Sequence, residues 1–214
     1  MNWLLFLDIQ LFFLINRLPH NGLIDYFALF LSGIGVAGIV WFILGAILVL
    51  KEESKDHRLF IPLGLAGGMT WSLTELIIKP LVARLRPSSA LDAAIVVGGF
   101  PLGYSFPSGH AASAFALATV LAYIEPKWKK GLYVLAILIS LSRIYLGHHY
   151  PIDVIVGGLL GWVIGFIVVR WYKDISKTKR YNRKNEIKRK RTSHSTGRLR
   201  KSKSNQKKSH HYNS

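Results

Sequence analysis

The apolar residues of this chain run in long blocks, and the charged residues collect between those blocks or at their ends. A water-soluble core would instead show short alternations of period 2 or 3.6. Four blocks, Phe27 to Leu50, Leu59 to Leu81, Gly131 to Leu146 and Val154 to Tyr172, reach or approach the roughly 20 residues that a helix needs to cross hydrocarbon. A fifth, Ala111 to Ile124, is short by itself and becomes long enough if the Pro-Ser-Gly-His before it enters the headgroup layer. Trp3 to Leu18 is interrupted by Asp8 and Gln10, so it reads as a helix lying flat at the interface or as a short span, the flat helix being preferred. It lacks the basic start and small-residue cleavage site of a signal peptide and is kept with the mature chain. The pattern predicts an all-α, polytopic membrane bundle of five or six transmembrane helices.

Charge divides the chain. Of its formal +17, the segment from Lys173 onward carries +14, with sixteen Lys and Arg against Asp174 and Glu186 and almost no apolar residues from which to build a core. Residues 1–172 are therefore expected to form the membrane domain, with 1–26 its interfacial or short spanning start, and 173–214 a basic, disordered tail. The tail serves as a solvated extension or attaches to anionic lipid, at on the order of 1 kcal/mol per basic residue near the surface. Nucleic acid is a poor fit, because Tyr181 and Tyr212 are its only aromatics. Placing Lys51, Lys55, Arg58, Lys127, Lys129, Lys130 and the tail in the cytoplasm satisfies the positive-inside tendency with five spans from Phe27 onward. Val82 to Pro107 and the turn at His148 to Pro151 then face outward, so the expected setting is the plasma membrane with the unusual polar clusters on its extracytoplasmic face. The chain has no cysteine, which excludes disulfide and thiolate chemistry.

Those clusters carry the chemistry. In Lys79 to Pro87, Lys79 and Arg86 lie seven residues apart and share a helical face if the helix persists that far, whereas Arg84 points about 140° away from Lys79. Snorkelling to headgroups would account for such residues, but positive charge on the outer side runs against the topology rule and favours an anionic ligand. Ser108 is placed to cap the helix that follows, and the free N–H groups there, together with Gly109, offer an anion site. His110 can donate a proton to whatever occupies it. Arg143 presents a forked set of donors suited to phosphate oxygens. Pro151 suits the first turn of the last helix, which puts Asp153 in that turn and His149 just before it. The carboxylate can then accept a proton from one imidazole nitrogen and raise the nucleophilicity of the other. Together these groups suit phosphoryl transfer: His149 as nucleophile, His110 as acid then base, and Lys79, Arg86, Arg143 and the backbone at Ser108 and Gly109 on the equatorial oxygens. Two histidines and a carboxylate could also form a metal triad, but the same three basic side chains would repel a divalent cation. No metal or other cofactor is expected.

Lys-x6-Arg-Pro (Lys79, Arg86, Pro87), Pro-Ser-Gly-His (Pro107 to His110) and Ser-Arg-x5-His-x3-Asp (Ser142, Arg143, His149, Asp153) are complete and in order. In these eleven positions the chain resembles the type 2 phosphatidic acid phosphatase superfamily, over roughly Asn2 to Tyr172. The resemblance implies an all-helical membrane bundle and metal-independent hydrolysis of lipid phosphates or diphosphates. It places His149 as nucleophile, Asp153 as its partner, His110 as acid/base, and Lys79, Arg86, Ser108, Gly109 and Arg143 on the phosphate. The superfamily also holds soluble haloperoxidases, against which the multiple spans argue, and membrane phosphotransferases, which the motifs leave open. Undecaprenyl diphosphate, phosphatidylglycerophosphate and phosphatidic acid all qualify as substrates, and the small size resembles that of bacterial isoprenyl-diphosphate phosphatases. A non-catalytic lipid-binding scaffold is disfavoured, because it would need neither His149 nor His110.

Overall fold

In hydrocarbon a backbone must satisfy its own hydrogen bonds, and a helix does so within a single segment. A computed structural model describes residues 3–50 and 59–175, and all regular structure among them is helical. The basic tail beyond 175 and most of the loop with Lys51, Lys55 and Arg58 lie outside the described residues. The elements are α1 (Trp3–Asn16), α2 (Gly22–Gly35), α3 (Ile39–Leu50), α4 (Phe60–Trp71), α5 (Lys79–Val82), α6 (Pro87–Ala90), α7 (Gly109–Ile124), α8 (Lys129–Tyr145) and α9 (Pro151–Ile175). A π-helical stretch, Ser72–Ile78, joins α4 to α5. The chain divides into two units at Arg170; of the second, only the last turn of α9 is described.

Among the described residues two helical runs, Phe60–Ala90 and Pro151–Ile175, can cross a membrane by length and composition, and a third can if α2 and α3 count as one bent span. The count of five or six is not confirmed by this measure. At 16 and 17 residues, α7 and α8 extend only about 24 to 26 Å, short of a hydrocarbon layer of roughly 30 Å. Both helices match or exceed their apolar blocks in length, so the shortfall lies in the blocks themselves, Ala111 to Ile124 and Gly131 to Leu146 being the shortest from Phe27 onward.

α7 is the centre of the bundle. Ala111, Ala112, Ala114, Ala116, Leu117, Ala118, Val120 and Leu121 are all buried, so it is enclosed on every side. Small residues allow that enclosure, because helices in lipid associate by close backbone packing without a hydrophobic driving force. On α9 the stripe Gly157, Gly161, Gly165 meets α7 directly. A Cβ on Gly161 would lie 1.9 Å from the carbonyl oxygen of Ala112, and one on Gly157 or Gly165 would lie 2.5 or 2.6 Å from that of Ser108 or Ala116. Leu159, Trp162 and Phe166 on the same helix stay exposed, as residues that face lipid do.

Polar ties fix the end of the bundle that holds the clusters. Asn16 is fully buried; it donates to the carbonyls of Ile95 (2.8 Å) and Tyr145 (2.9 Å) and accepts from the Ile95 N–H (2.9 Å). The Tyr145 hydroxyl donates to Asp25, whose same oxygen lies 2.8 Å from His20. Gly147 turns the chain between α8 and α9 at φ 80°, in contact with the Ile95 carbonyl, where a side chain has no room. α1, α2, α8 and the loop at 91–103 are thus held as one frame around the polar residues.

Candidate active site

The run that begins at α4 does not carry Lys79 and Arg86 on one helical face. The helix ends at Val82, Ala83 adopts a left-handed conformation (φ 48°), and Arg86 is extended before Pro87. The two side chains nevertheless reach the same cavity, of about 320 Å³, lined also by Glu75, Gly109, His110, Ser113, Arg143 and His149. Three stretches far apart in sequence therefore converge.

Each cation is held differently. Arg86 donates to three backbone carbonyls, Gly103 (3.0 Å), Leu102 (3.1 Å) and His148 (3.0 Å), and Nη1 also lies 3.2 Å from His149 Nε2. A guanidinium can only donate. Nε2 of His149 is therefore the unprotonated nitrogen, its lone pair accepting from Arg86 at the cavity wall and its proton on Nδ1. Arg143 donates to the Ser32 hydroxyl and leaves its buried Nε without a partner. Lys79 Nζ is 2.5 Å from Glu75 Oε1.

Burial, followed by the positive charge of Arg86 and Arg143, holds the His149 imidazole well below the usual histidine range, so the ring is neutral. His148, buried under the same two arginines, is lowered to about 4. His110 lines the cavity with its Nε2 buried and without a hydrogen-bond partner. With neutral histidines, three cations against one carboxylate leave a net charge of +2, which a phosphate dianion balances.

Two expectations are corrected. Asp153 is near His149 but not hydrogen-bonded to it: Oδ2 lies 3.6 Å from Nδ1, which has no hydrogen-bond partner. The carboxylate is occupied by other donors, Arg84 Nη1 at 2.7 Å on Oδ1, and the Ser105 hydroxyl and Tyr150 N–H (2.9 Å) on Oδ2. Ser108 caps α7 as expected, accepting from the Ala111 N–H at 3.4 Å, but its own N–H donates to the Asp153 carbonyl (2.9 Å) and is not free for an anion. Gly109 is needed for close approach, and the atom that approaches is a protein one: a Cβ there would lie 2.7 Å from Glu75 Oε1.

Sequence reasoning missed Glu75, Asp8, Ser105 and the role of Arg84. Glu75 and Asp8 did carry a signal, each being a lone carboxylate in an apolar block, where an ionisable residue implies a named partner. Ser105 sits in a loop with no periodicity and carried none. Among the described residues no three His, Asp or Glu side chains stand close enough together to hold a metal ion.

Several known proteins resemble this chain. The chain is 35% identical over 167 residues to the undecaprenyl-diphosphatase of Sulfolobus acidocaldarius, covering 76% of this chain and 77% of that one. It is 33% identical over 177 residues to the lipid A 4′-phosphatase of Bacteroides thetaiotaomicron, with 75% and 76% covered. Among solved structures it matches the crystal structure of Aquifex aeolicus LpxE at TM-score 0.61 and 37% identity, over 77% of this chain and 95% of that one. It also matches a PAP2-type phosphatidylglycerolphosphate phosphatase from Bacillus subtilis at TM-score 0.64 and 25% identity, over 82% and 89%. The PAP2 superfamily model covers residues 59–177, the segment that contains every residue drawn around the cavity from α4 onward, and with these matches it establishes that the chain belongs to the PAP2 superfamily.

Proposed function

We propose that the cavity is the active site of a membrane lipid phosphatase that works through a phosphohistidine. The observation that carries this reading is the single cavity in which Lys79, Arg86, Arg143, His110 and His149 meet. The cations hold the phosphate oxygens, and Nε2 of His149 attacks phosphorus while the bond to the leaving oxygen breaks. His110 starts neutral, takes up a proton when the phosphate dianion enters the cavity, and gives it to that oxygen. Water then attacks the phosphohistidine, with His110 taking the proton back. Asp153 stabilises the ring as charge develops on it, its long contact to Nδ1 tightening when substrate binds.

The substrate is a lipid phosphate. Trp71 and Ser113 are shared between the cavity and an apolar groove lined by Phe42, Gly64, Gly67, Gly68 and Leu117, which suits a hydrocarbon tail attached to the reacting headgroup. The relatives' names point to isoprenyl diphosphates, lipid A phosphates and phosphatidylglycerophosphate. A phosphotransferase would use the same intermediate with a lipid or sugar hydroxyl replacing water.

The favoured orientation puts the cavity on the extracytoplasmic face of the plasma membrane. Its support is the turn with Lys127, Lys129 and Lys130, which follows the end of α7 opposite His110, about 24 Å away, and which belongs in the cytoplasm with the tail. Five spans from Phe27 onward, with the shorter α7 and α8 crossing beside thinner or deformed lipid, agree with that arrangement.

Purified protein should release phosphate from at least one of an isoprenyl diphosphate, a lipid A phosphate and a phosphatidylglycerophosphate, undiminished by chelator and inhibited by vanadate. His149→Ala should lower the rate by on the order of 10⁴-fold or more. Phosphate release that survives in His149→Ala, or that chelator abolishes, refutes the mechanism.

A further inference from the structure

Behind His149, on the side away from the cavity, lies a second cluster of buried charge. Arg84 donates through Nη1 to Asp153 Oδ1 at 2.7 Å and through Nη2 to Asp8 Oδ2 at 2.6 Å, and its guanidinium lies 3.9 Å over the Tyr150 ring. Asp8 is 1% exposed and Asp153 fully buried. The other oxygen of Asp8 accepts the Ile152 N–H at 2.9 Å, one of the N–H groups left unpaired at the start of α9. The left-handed turn at Ala83 and the bond from the Ser105 N–H to the Arg84 carbonyl (2.8 Å) direct Arg84 to this rear side, while Arg86, two residues on, serves the cavity.

We propose, resting on the phosphohistidine reading above, that Asp8 and Arg84 are positioning residues that fix the orientation and effective charge of Asp153 and through it the proton affinity and tautomer of His149. α1, which the sequence suggests is peripheral, is then part of the catalytic apparatus. Asp153 has four neighbours competing for two oxygens, and only Arg84 brings a full charge. Without it, Asp8 and Asp153 would face each other as buried carboxylates with no cation between them, which forces rearrangement. With it, the three charges sum to −1, enough to hold the Nδ1 proton toward Asp153 and leave Nε2 unprotonated. The other groups facing His149 are Lys79, Arg86, Arg143, His148 and His110, all unchanged by substitutions in this rear cluster.

The test is ¹⁵N NMR of histidine-labelled full-length protein in detergent, with the His149 ring signals assigned by their loss in His149→Ala, alongside phosphate release from farnesyl diphosphate over a range of pH. The wild type should show Nδ1–H with Nε2 unprotonated. Arg84→Gln removes a positive charge and should raise the His149 titration midpoint by on the order of one pH unit. It should also move the acid limb of kcat to higher pH and lower kcat 10- to 100-fold with KM within about twofold. Asp8→Asn keeps an acceptor for Ile152 but removes a negative charge, so the midpoint should move the opposite way. Arg84→Lys keeps the charge and should hold the midpoint near wild type; if Arg84→Gln fails to fold, Asp8→Asn carries the test, and an unchanged His149 midpoint in it overturns the proposal. An unchanged His149 signal in Arg84→Gln, or shifts of the same sign in Arg84→Gln and Asp8→Asn, overturns the proposal in favour of a purely structural clamp. No phosphate release by the wild type would count against the phosphatase reading alone, since the NMR arm does not depend on turnover.

Discussion

The two sides of His149 use arginine in opposite ways. In front, Arg86 is anchored by carbonyls, which are neutral acceptors, and Arg143 by one hydroxyl, so their positive charge remains available to a phosphate. Behind, Arg84 is paired with two carboxylates and keeps almost no field for a ligand. The lesson is that in a buried site the partners of a cation decide its function: neutral acceptors leave it free to bind an anion, and carboxylates turn it into a fixture.

The strongest way to break that contrast is to separate the helices that carry the two sides. A Gly161→Leu side chain would have to displace the Ala112 carbonyl of α7, moving His110 away from α9 and its Asp153. Overpacking of this kind costs roughly 1–3 kcal/mol or more, and the expected result is loss of folded protein or near-complete loss of phosphate release, read by thermal unfolding and activity together. Wild-type behaviour in both would show that α7 and α9 are not in contact there.

Arg143→Lys sharpens the comparison within the front side. It keeps the charge and loses the fork, and kcat should fall on the order of 10²-fold with little change in stability. A change below about threefold would mean that Arg143 contributes only charge. Glu75→Gln goes the other way, removing the one carboxylate among the cavity's cations. Releasing Lys79 from it should lower KM for a diphosphate severalfold relative to a monophosphate, and equal effects on both substrates would sink that reading.

The smallest effect concerns acid. His148 binds its proton with a pKa of about 4 in the folded protein against 6.5 when unfolded, because it is buried beneath Arg143 and Arg86. Between those values the unfolded chain takes up a proton that the folded one refuses, so stability falls as pH drops from 6.5 toward 4 and is constant in this respect above and below. His149, also held below its ordinary value, adds in the same direction. The melting temperature of His148→Gln should therefore decline less than that of the wild type between pH 6.5 and 4. An identical decline would assign the acid sensitivity elsewhere.

The sequence by itself determined the fold class and most of the cavity's inventory. Long apolar blocks permit only helix in hydrocarbon, and charged residues are costly enough there that Lys79, Arg86, Arg143, His110 and His149 stood out at the block ends without any structure. It also placed the Ser108 cap and the start of α9 at Pro151, since both depend on neighbouring residues alone. The number of spans it left open, because α7 and α8 read as apolar blocks but are only about 24 to 26 Å long.

Only the tertiary structure decided which cation does what. Helical periodicity put Lys79 and Arg86 on one face for a reason that proved wrong, since Ala83 breaks the helix between them. Glu75 in the cavity, the hydrogen bonds that occupy Asp153, and Arg84 paired with Asp8 from the far end of the chain all arise from contacts between segments up to 76 residues apart. Such contacts follow from how small residues let α7, α8 and α9 close on one another, and that is a property of the packed bundle that no local pattern of residues contains.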